Sequence, residues 1–354
     1  MKILILAPYP PGEAPSQRFR FEQYLAALRK KGIAFDYEPF IDLPTWKIMH
    51  KPGRYLQKAK GILSAFERRF RLLRQLRQYD YIFIHREASH IGPPVFEWLL
   101  ARVFQKKIVY DFDDAIWLPN YSRHNARFHW LKNYGKVKKV MAWSYRVSAG
   151  NRYLAEFAGQ FNPEVRVNPT TIDTVLQHNR CSNHLARVPV IGWTGTLTTI
   201  RYLAPVLPVL QQLEKRHRFV FEVIANENPG YQLKSFRFRY WQHSTEITDL
   251  LRFNLGLMPL VDDQWAKGKC GFKALQYMAL GIPALVSPVG VNTNIVDHGV
   301  NGFICHNPED WLNYLEMLLL DPERRKTMGK AARQKIEDCY SVKANTDNFL
   351  RLFS

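Results

Sequence analysis

The chain has 354 residues, 46% hydrophobic and 23% charged, and its 50 Lys and Arg against 31 Asp and Glu give a net charge of +19. That length exceeds what one hydrophobic core usually serves, and that composition excludes a chain disordered throughout. No apolar run approaches the roughly 20 residues of a membrane span, and Pro8 stops the short run from Ile3 to Ala7, so the chain is expected in the cytoplasm.

In chain order, Lys2 to Ala7 reads as a buried parallel strand, followed by a Pro/Gly loop through Gly12 to Pro15. Ser16 is placed to cap a helix whose Phe21, Tyr24, Leu25 and Leu28 share one face. Gly32 ends it before a strand from Ile33 to Tyr37. Residues 54–78 read as a long basic helix. Tyr81 to Ile84 is a strand running into His85-Arg86-Glu87, and Pro93 to Phe104 a helix. Ile108 to Tyr110 is a strand running into Asp111-Phe112-Asp113-Asp114. A helix–strand–helix unit then leads to a strand at Val165 to Val167. Residues 169–187 are polar and irregular and read as a linker.

Alternation resumes with strands at Val190 to Trp193, Phe219 to Ile224, Leu255 to Pro259 and Ala284 to Ser287. Helices are expected at Tyr202 to Leu213, at Phe272 to Leu280 with Gly281 as its left-handed cap, and at Glu309 to Lys335, broken at Asp321-Pro322. Repeated β-α alternation in both halves predicts an α/β protein of two doubly wound parallel sheets. The expected domains are 1–170 and 187–338, with a tail at 339–354 that packs back on the first. Such sheets bind ligands beyond the carboxyl ends of their strands, so a cleft between the halves is the expected site.

The sharpest constellation is Lys267-Gly268-Lys269-Cys270-Gly271-Phe272-Lys273, running directly into a helix. Two glycines let backbone approach a ligand, the helix start offers unpaired N–H groups and partial positive charge, and three lysines add full charge. A diphosphate asks for this set; solvated lysines on an ordinary loop are the plainer reading. Gly195 and Thr196, ending the first strand of the second half, and Arg201 beyond them can serve the same anion, although Gly-x-x-Gly after a strand is a weak signal.

In the first half His85, Asp111 and Asp113 gather at strand ends, where a His can orient or deprotonate a hydroxyl. Gly12, Arg86 and Glu87 belong to the same half and are candidate binding residues beside them. The Asp cluster has three readings, helix capping, acceptor binding and Mg²⁺ ligation; no fourth ligand is evident, which ranks the metal lower, and no obligatory cofactor is expected. The four cysteines include no CxxC pair, which argues against a zinc knuckle or disulfide framework. Between Lys47 and Arg77 lie ten Lys or Arg and one acid, Glu67, interleaved with apolar residues at near-helical spacing. That pattern suits an anionic membrane surface, and equally a helix packed on its own domain. No nucleic-acid-binding motif is present.

These segments resemble glycosyltransferase family 4, retaining enzymes of GT-B fold. The resemblance runs along most of the chain and is strongest in Leu257-Met-Pro-Leu260, Lys269 to Pro283, Ser287-Pro-Val-Gly290, Ile295 to Phe303 and Asp321-Pro-Glu-Arg-Arg325. It implies a nucleotide-diphosphate sugar donor held by the second Rossmann-like domain, an acceptor such as a glycan or lipid-linked sugar held by the first, and retention without an obligatory metal. Family members often carry two Glu with seven residues between them; Gly268 and Gln276 stand at those positions, and Gln276 retains capacity to bond a ribose. Thr196 and Arg201 stand where an Arg and a Lys usually meet the diphosphate, and Asp111 at the strand end where a catalytic His is typical. The resemblance suggests bacterial cell-surface polysaccharide or glycolipid synthesis, and the basic stretch from Lys47 to Arg77 separately suggests a peripheral place at the inner face of the membrane. A catalytically silent partner subunit and a GT-B sugar-nucleotide epimerase stay open as alternatives.

Overall fold

The computed structural model describes residues 1–49, 51, 53–119, 132–184 and 186–354; residues 50 and 52 of the basic stretch lie outside them. The chain divides into two compact units, Met1–Thr170 with Thr346–Ser354, and Thr171–Asn345.

The first unit is built on a parallel six-stranded sheet: β1 (Lys2–Ala7), β2 (Ala34–Pro39), β3 (Tyr81–His85), β4 (Lys107–Phe112), β5 (Arg146–Ala149) and β6 (Val165–Val167), in spatial order β2-β1-β3-β4-β5-β6. Beyond its first residue every position of β1 is buried, as a strand covered by helices on both faces requires. The chain winds one way from β1 to β2 and the other way from β3 onward, so the sheet has its switch point between β1 and β3. The segment Thr346–Ser354 completes this unit. Phe349 stacks on Tyr24 with ring centres 4.5 Å apart, Phe353 meets Tyr81 and Phe83, and the Arg146 guanidinium donates to the carbonyls of Arg351, Leu352 and Ser354.

The second unit repeats the plan with β7 (Val190–Gly195), β8 (Val220–Ala225), β9 (Phe236–Tyr240), β10 (Leu255–Met258), β11 (Ala284–Val286) and β12 (Gly302–Ile304), ordered β12-β11-β10-β7-β8-β9. Its switch point lies between β7 and β10. Trp193, Phe221, Leu257 and Leu285 anchor a core against the helix Pro308–Leu320.

Several boundaries differ from the sequence reading. Ser16 is not a cap: the helix begins at Pro15, whose fixed φ suits a first turn, and breaks after Arg20 into a 3₁₀ turn and a second helix, Leu25–Lys30. The second half opens with a 3₁₀ turn at Ile200–Leu203 before the helix Leu207–Leu213, which carries a proline in its first turn. Strands β9 and β12, unmarked in the sequence reading, form the two edges of the second sheet.

Candidate functional site

In the second unit the backbone turns out of β7 at Gly195 and Thr196. A Cβ on Gly195 would stand 2.4 Å from the Trp193 ring, so only glycine lets the strand leave over that indole. Thr196 N–H donates to Thr199 Oγ1 at 3.0 Å, and Thr196 O accepts from the N–H groups of Thr199 and Ile200, which fixes a tight turn. Arg201 is exposed just beyond it.

On the other side of the switch point, the chain leaves β10 and forms the short helix Gln264–Lys267, capped by Asp263, before the helix Phe272–Ala279. Gly271 caps that second helix in a left-handed conformation, φ +70°, and a Cβ there would lie 2.1 Å from Ile295 Cδ1. Glycine is required twice over at this position, by conformation and by space. The structure brings Lys269 and Lys273 to the end of β7: Lys273 Nζ lies 5.4 Å from the centre of the Trp193 ring, and Lys269 Nζ lies 5.9 Å from those of both Tyr202 and Trp265. Lys267 pairs with Asp262 at 3.2 Å, and its carbonyl backs onto Gly290. Phe272 is half-buried in the first turn.

Gln276 lies one turn into the helix Phe272–Ala279. Its side chain is buried, and its amide donates to Glu246 Oε1 at 3.5 Å, so that a buried carboxylate stands beside it. Nothing in the local sequence flags Glu246, thirty residues upstream in another helix.

In the first unit, β3 and β4 pair in register with His85 directly opposite Asp111. The sequence points to Asp111 as the group that orients an acceptor, and the structure shows what surrounds it. Its carboxylate is wholly buried, accepts from His85 Nδ1 at 2.8 Å and from Ser148 Oγ at 2.6 Å, and is ion-paired with the buried Arg20 guanidinium. Burial works against its charge, but Arg20 and the His85 hydrogen bond outweigh burial and hold the carboxyl well below the usual range. Asp111 therefore fixes the ring of His85, whose Nε2 is buried without a hydrogen-bond partner. Arg20, Ser148 and Asp111 are brought together by tertiary contacts spanning up to 91 residues, which no local pattern reveals.

Arg86 takes a left-handed conformation at the end of β3, φ +59°, and its guanidinium joins Asp113 at 2.6 Å and Asp114 at 2.5 Å. Burial opposes the Asp113 charge, yet Arg86 draws that carboxyl below its ordinary value. The Asp cluster is thus engaged by an arginine, and among the described residues no three His, Cys, Asp or Glu side chains converge as a cation site. Glu87 pairs with the buried Lys136 at 3.0 Å. Gly12, φ +80°, donates its N–H to Glu22 Oε2 at 2.9 Å, while Gln17 and Tyr37 also donate to Glu22. A cavity of about 30 Å³ opens at the β1–β3 switch point, lined by Tyr9, Arg86, Glu87, Lys132, Tyr134 and Lys136 among others. Burial and the nearby Glu87 push the Tyr9 phenol up to about 12, so it stays a protonated donor.

Residues 264–335 match the family described as "Glycosyl transferases group 1". Spore coat protein SA of Bacillus subtilis (strain 168) is 30% identical over 79 residues, 22% of this chain and 21% of that protein. Human alpha-1,3/1,6-mannosyltransferase ALG2 is 28% identical over 82 residues, 23% of this chain and 20% of that protein. The matched segment thus spans about one fifth of the length of these curated relatives. Among solved structures, sucrose-phosphate synthase from Thermosynechococcus elongatus superposes with a TM-score of 0.67 at 13% identity, covering 100% of this chain and 98% of that one. Anabaena HepE, solved in complex with UDP and glucose, gives 0.66 at 14% identity, covering 99% and 98%. At these identities the likeness establishes the fold: two Rossmann-like units of the GT-B class.

Proposed function

We propose that this chain is a glycosyltransferase that takes a sugar from a nucleotide-diphosphate donor and places it on an acceptor hydroxyl. One observation carries the reading: the start of the helix Phe272–Ala279, freed by a left-handed Gly271, meets the end of β7 at the switch point of the second sheet with Lys269 and Lys273 beside it. N–H groups, a helix start and two ammonium groups offer a diphosphate what it needs as charge builds on departure. The match of residues 264–335 to group 1 glycosyl transferases falls on this segment, and HepE was solved with UDP and glucose bound.

In this reading Gly195, Thr196 and Arg201 complete the phosphate contacts, and Gln276 with Glu246 faces the donor ribose. In the first unit His85 Nε2 meets the acceptor hydroxyl, with Asp111 and Arg20 holding the ring and Asp113, Arg86 and Glu87 shaping the surroundings. Retention follows from attack on the leaving group's own face, the departing phosphate oxygen taking the acceptor proton. A UDP- or GDP-sugar is the expected donor, a glycan or lipid-linked sugar of cell-surface synthesis the expected acceptor, and no metal is obligatory.

The test is a thermal-shift and turnover screen against UDP, GDP and their sugars, since a ligand of the native state raises its midpoint. Stabilisation by a nucleotide together with sugar release or transfer supports the assignment. Stabilisation without turnover would make the chain a silent partner subunit, and a changed sugar without any acceptor an epimerase. No response to any nucleotide would overturn the reading.

A further inference from the structure

The cavity at the β1–β3 switch point holds one more positive charge than its own carboxylates offset. Of the basic residues lining it, Arg86 is committed to Asp113 and Asp114. Lys132 and Lys136 are left with a single carboxylate, Glu87. Lys136 is buried; it donates to Ser89 O at 2.6 Å and pairs with Glu87 at 3.0 Å. Lys132 is half-buried and meets no carboxylate at ion-pair distance among the described residues; its Nζ lies 5.8 Å from the centre of the Tyr134 ring. Burial opposes the charge on Glu87, yet Lys136 and then Lys132 outweigh it and hold that carboxyl below its ordinary value. Two ammonium groups thus share one ionised carboxylate. Pro8 and Val137, both buried, wall the cavity with hydrocarbon, beside which an unanswered charge is costly.

Tyr9 adds a neutral donor, and its placement is fixed from two directions. The buried Gln17 side chain grips its backbone on both sides: Tyr9 N–H donates to Gln17 Oε1 at 2.8 Å, and Tyr9 O accepts from Gln17 Nε2 at 3.0 Å. Its ring packs against Trp46 and His90, with ring centres 4.8 and 5.0 Å away. Burial and then Glu87 keep its phenol protonated, and that phenol meets no acceptor among the described residues. The volume of about 30 Å³ gives roughly two water-sized places, room for one substituent and too little for a sugar ring. A hydroxyl there would leave the surplus ammonium unanswered, and a metal cation would be repelled by it. A carboxylate or phosphate group offers what both donors lack, acceptor oxygens and a negative charge.

We infer that the acceptor carries an anionic substituent, a carboxylate or a phosphate, and that Tyr9 and Lys132 bind it in this cavity. The inference rests on the reading of the first unit as the acceptor side and names the class of acceptor. Calorimetry of the whole protein, saturated with UDP to fill the anion site of the second unit, tests it by titration with glucuronate, glucose 6-phosphate, glucose and inorganic phosphate at physiological salt. One of the anionic sugars should bind at least about tenfold more tightly than glucose, the effect of one charge-assisted contact. Glucuronate ahead assigns a carboxylate, and glucose 6-phosphate ahead a phosphate. Tyr9→Phe keeps the ring packing and Lys132→Met keeps the half-buried stem, so the thermal midpoint and the UDP affinity should stay at wild-type values while the preference for the anionic sugar disappears. The inference is overturned if glucose binds as tightly as both anionic sugars, if inorganic phosphate alone binds as tightly as either, or if both variants retain the preference. Should UDP fail to bind while the unsaturated protein still prefers the anionic sugar, the donor reading falls and the cavity assignment stands.

Discussion

His85 and Asp111 face each other across adjacent parallel strands, and the hydrogen bond from His85 Nδ1 to the Asp111 carboxylate, at 2.8 Å, leaves Nε2 as the ring nitrogen without a partner. Replacing His85 with Gln is expected to lower kcat by about 10²-fold, the cost of a misplaced acceptor hydroxyl, without loss of nucleotide binding. Steady-state kinetics beside a nucleotide thermal shift checks this; wild-type turnover would remove His85 from the reaction.

Asp111→Asn answers a different question. It leaves the Arg20 guanidinium buried without its counter-charge, which costs about 3–5 kcal/mol. Denaturant unfolding should register that loss, and a variant as stable as wild type would show that the pair contributes little.

At the phosphate end, Lys269→Ala and Lys273→Ala should each weaken UDP or GDP binding by at least about tenfold, the effect of one lost charge-assisted contact. Calorimetric titration reads this directly. Unchanged affinity in both variants would move the anion elsewhere.

Gly271 and Gly12, both left-handed, separate conformation from space. Gly271→Ala meets Ile295 Cδ1 at 2.1 Å, whereas a Cβ on Gly12 meets nothing within 4 Å. The first should cost about 2–5 kcal/mol, from strain and overpacking together, and the second about 1–2 kcal/mol from backbone strain alone. Equal losses in urea titrations would contradict the geometry.

His90 offers a pH signature. Burial, with Lys132, Lys136 and Arg69 nearby, outweighs the attraction of Glu87 and lowers its pKa from 6.5 to about 4. The folded state therefore holds fewer protons than the unfolded one between these values. The contribution of His90 is complete above about 6.5 and is lost as pH falls toward about 4. His90→Phe keeps a ring against Phe40 and Tyr9 and should flatten that limb of the stability–pH curve. An unchanged limb would assign the acid sensitivity to other groups.

What the sequence made legible follows the range of the forces involved. Periodicity is local, so β1, the basic helix and the break at Asp321-Pro322 could be read from adjacent residues. β9, Phe236-Arg-Phe-Arg-Tyr240, carries the alternation of an edge strand and was open to the same reasoning. β12 has three residues, too few for a pattern. The helix start after Gly271 announces itself through glycine and lysine spacing. The ion pair of Arg20 with Asp111 does not, because it joins residues 91 apart in sequence. A carboxylate at a strand end looks alike whether it meets solvent or a buried guanidinium.

The closing segment of the first unit, Thr346–Ser354, is translated after the entire second unit. At the ribosome, the amino-terminal half must therefore wait with Tyr24, Phe83 and the Arg146 guanidinium uncovered while some 175 further residues emerge. Synthesis order makes this half, though begun first, the last to reach its finished form, and exposes its apolar slot to holdase chaperones in the interval.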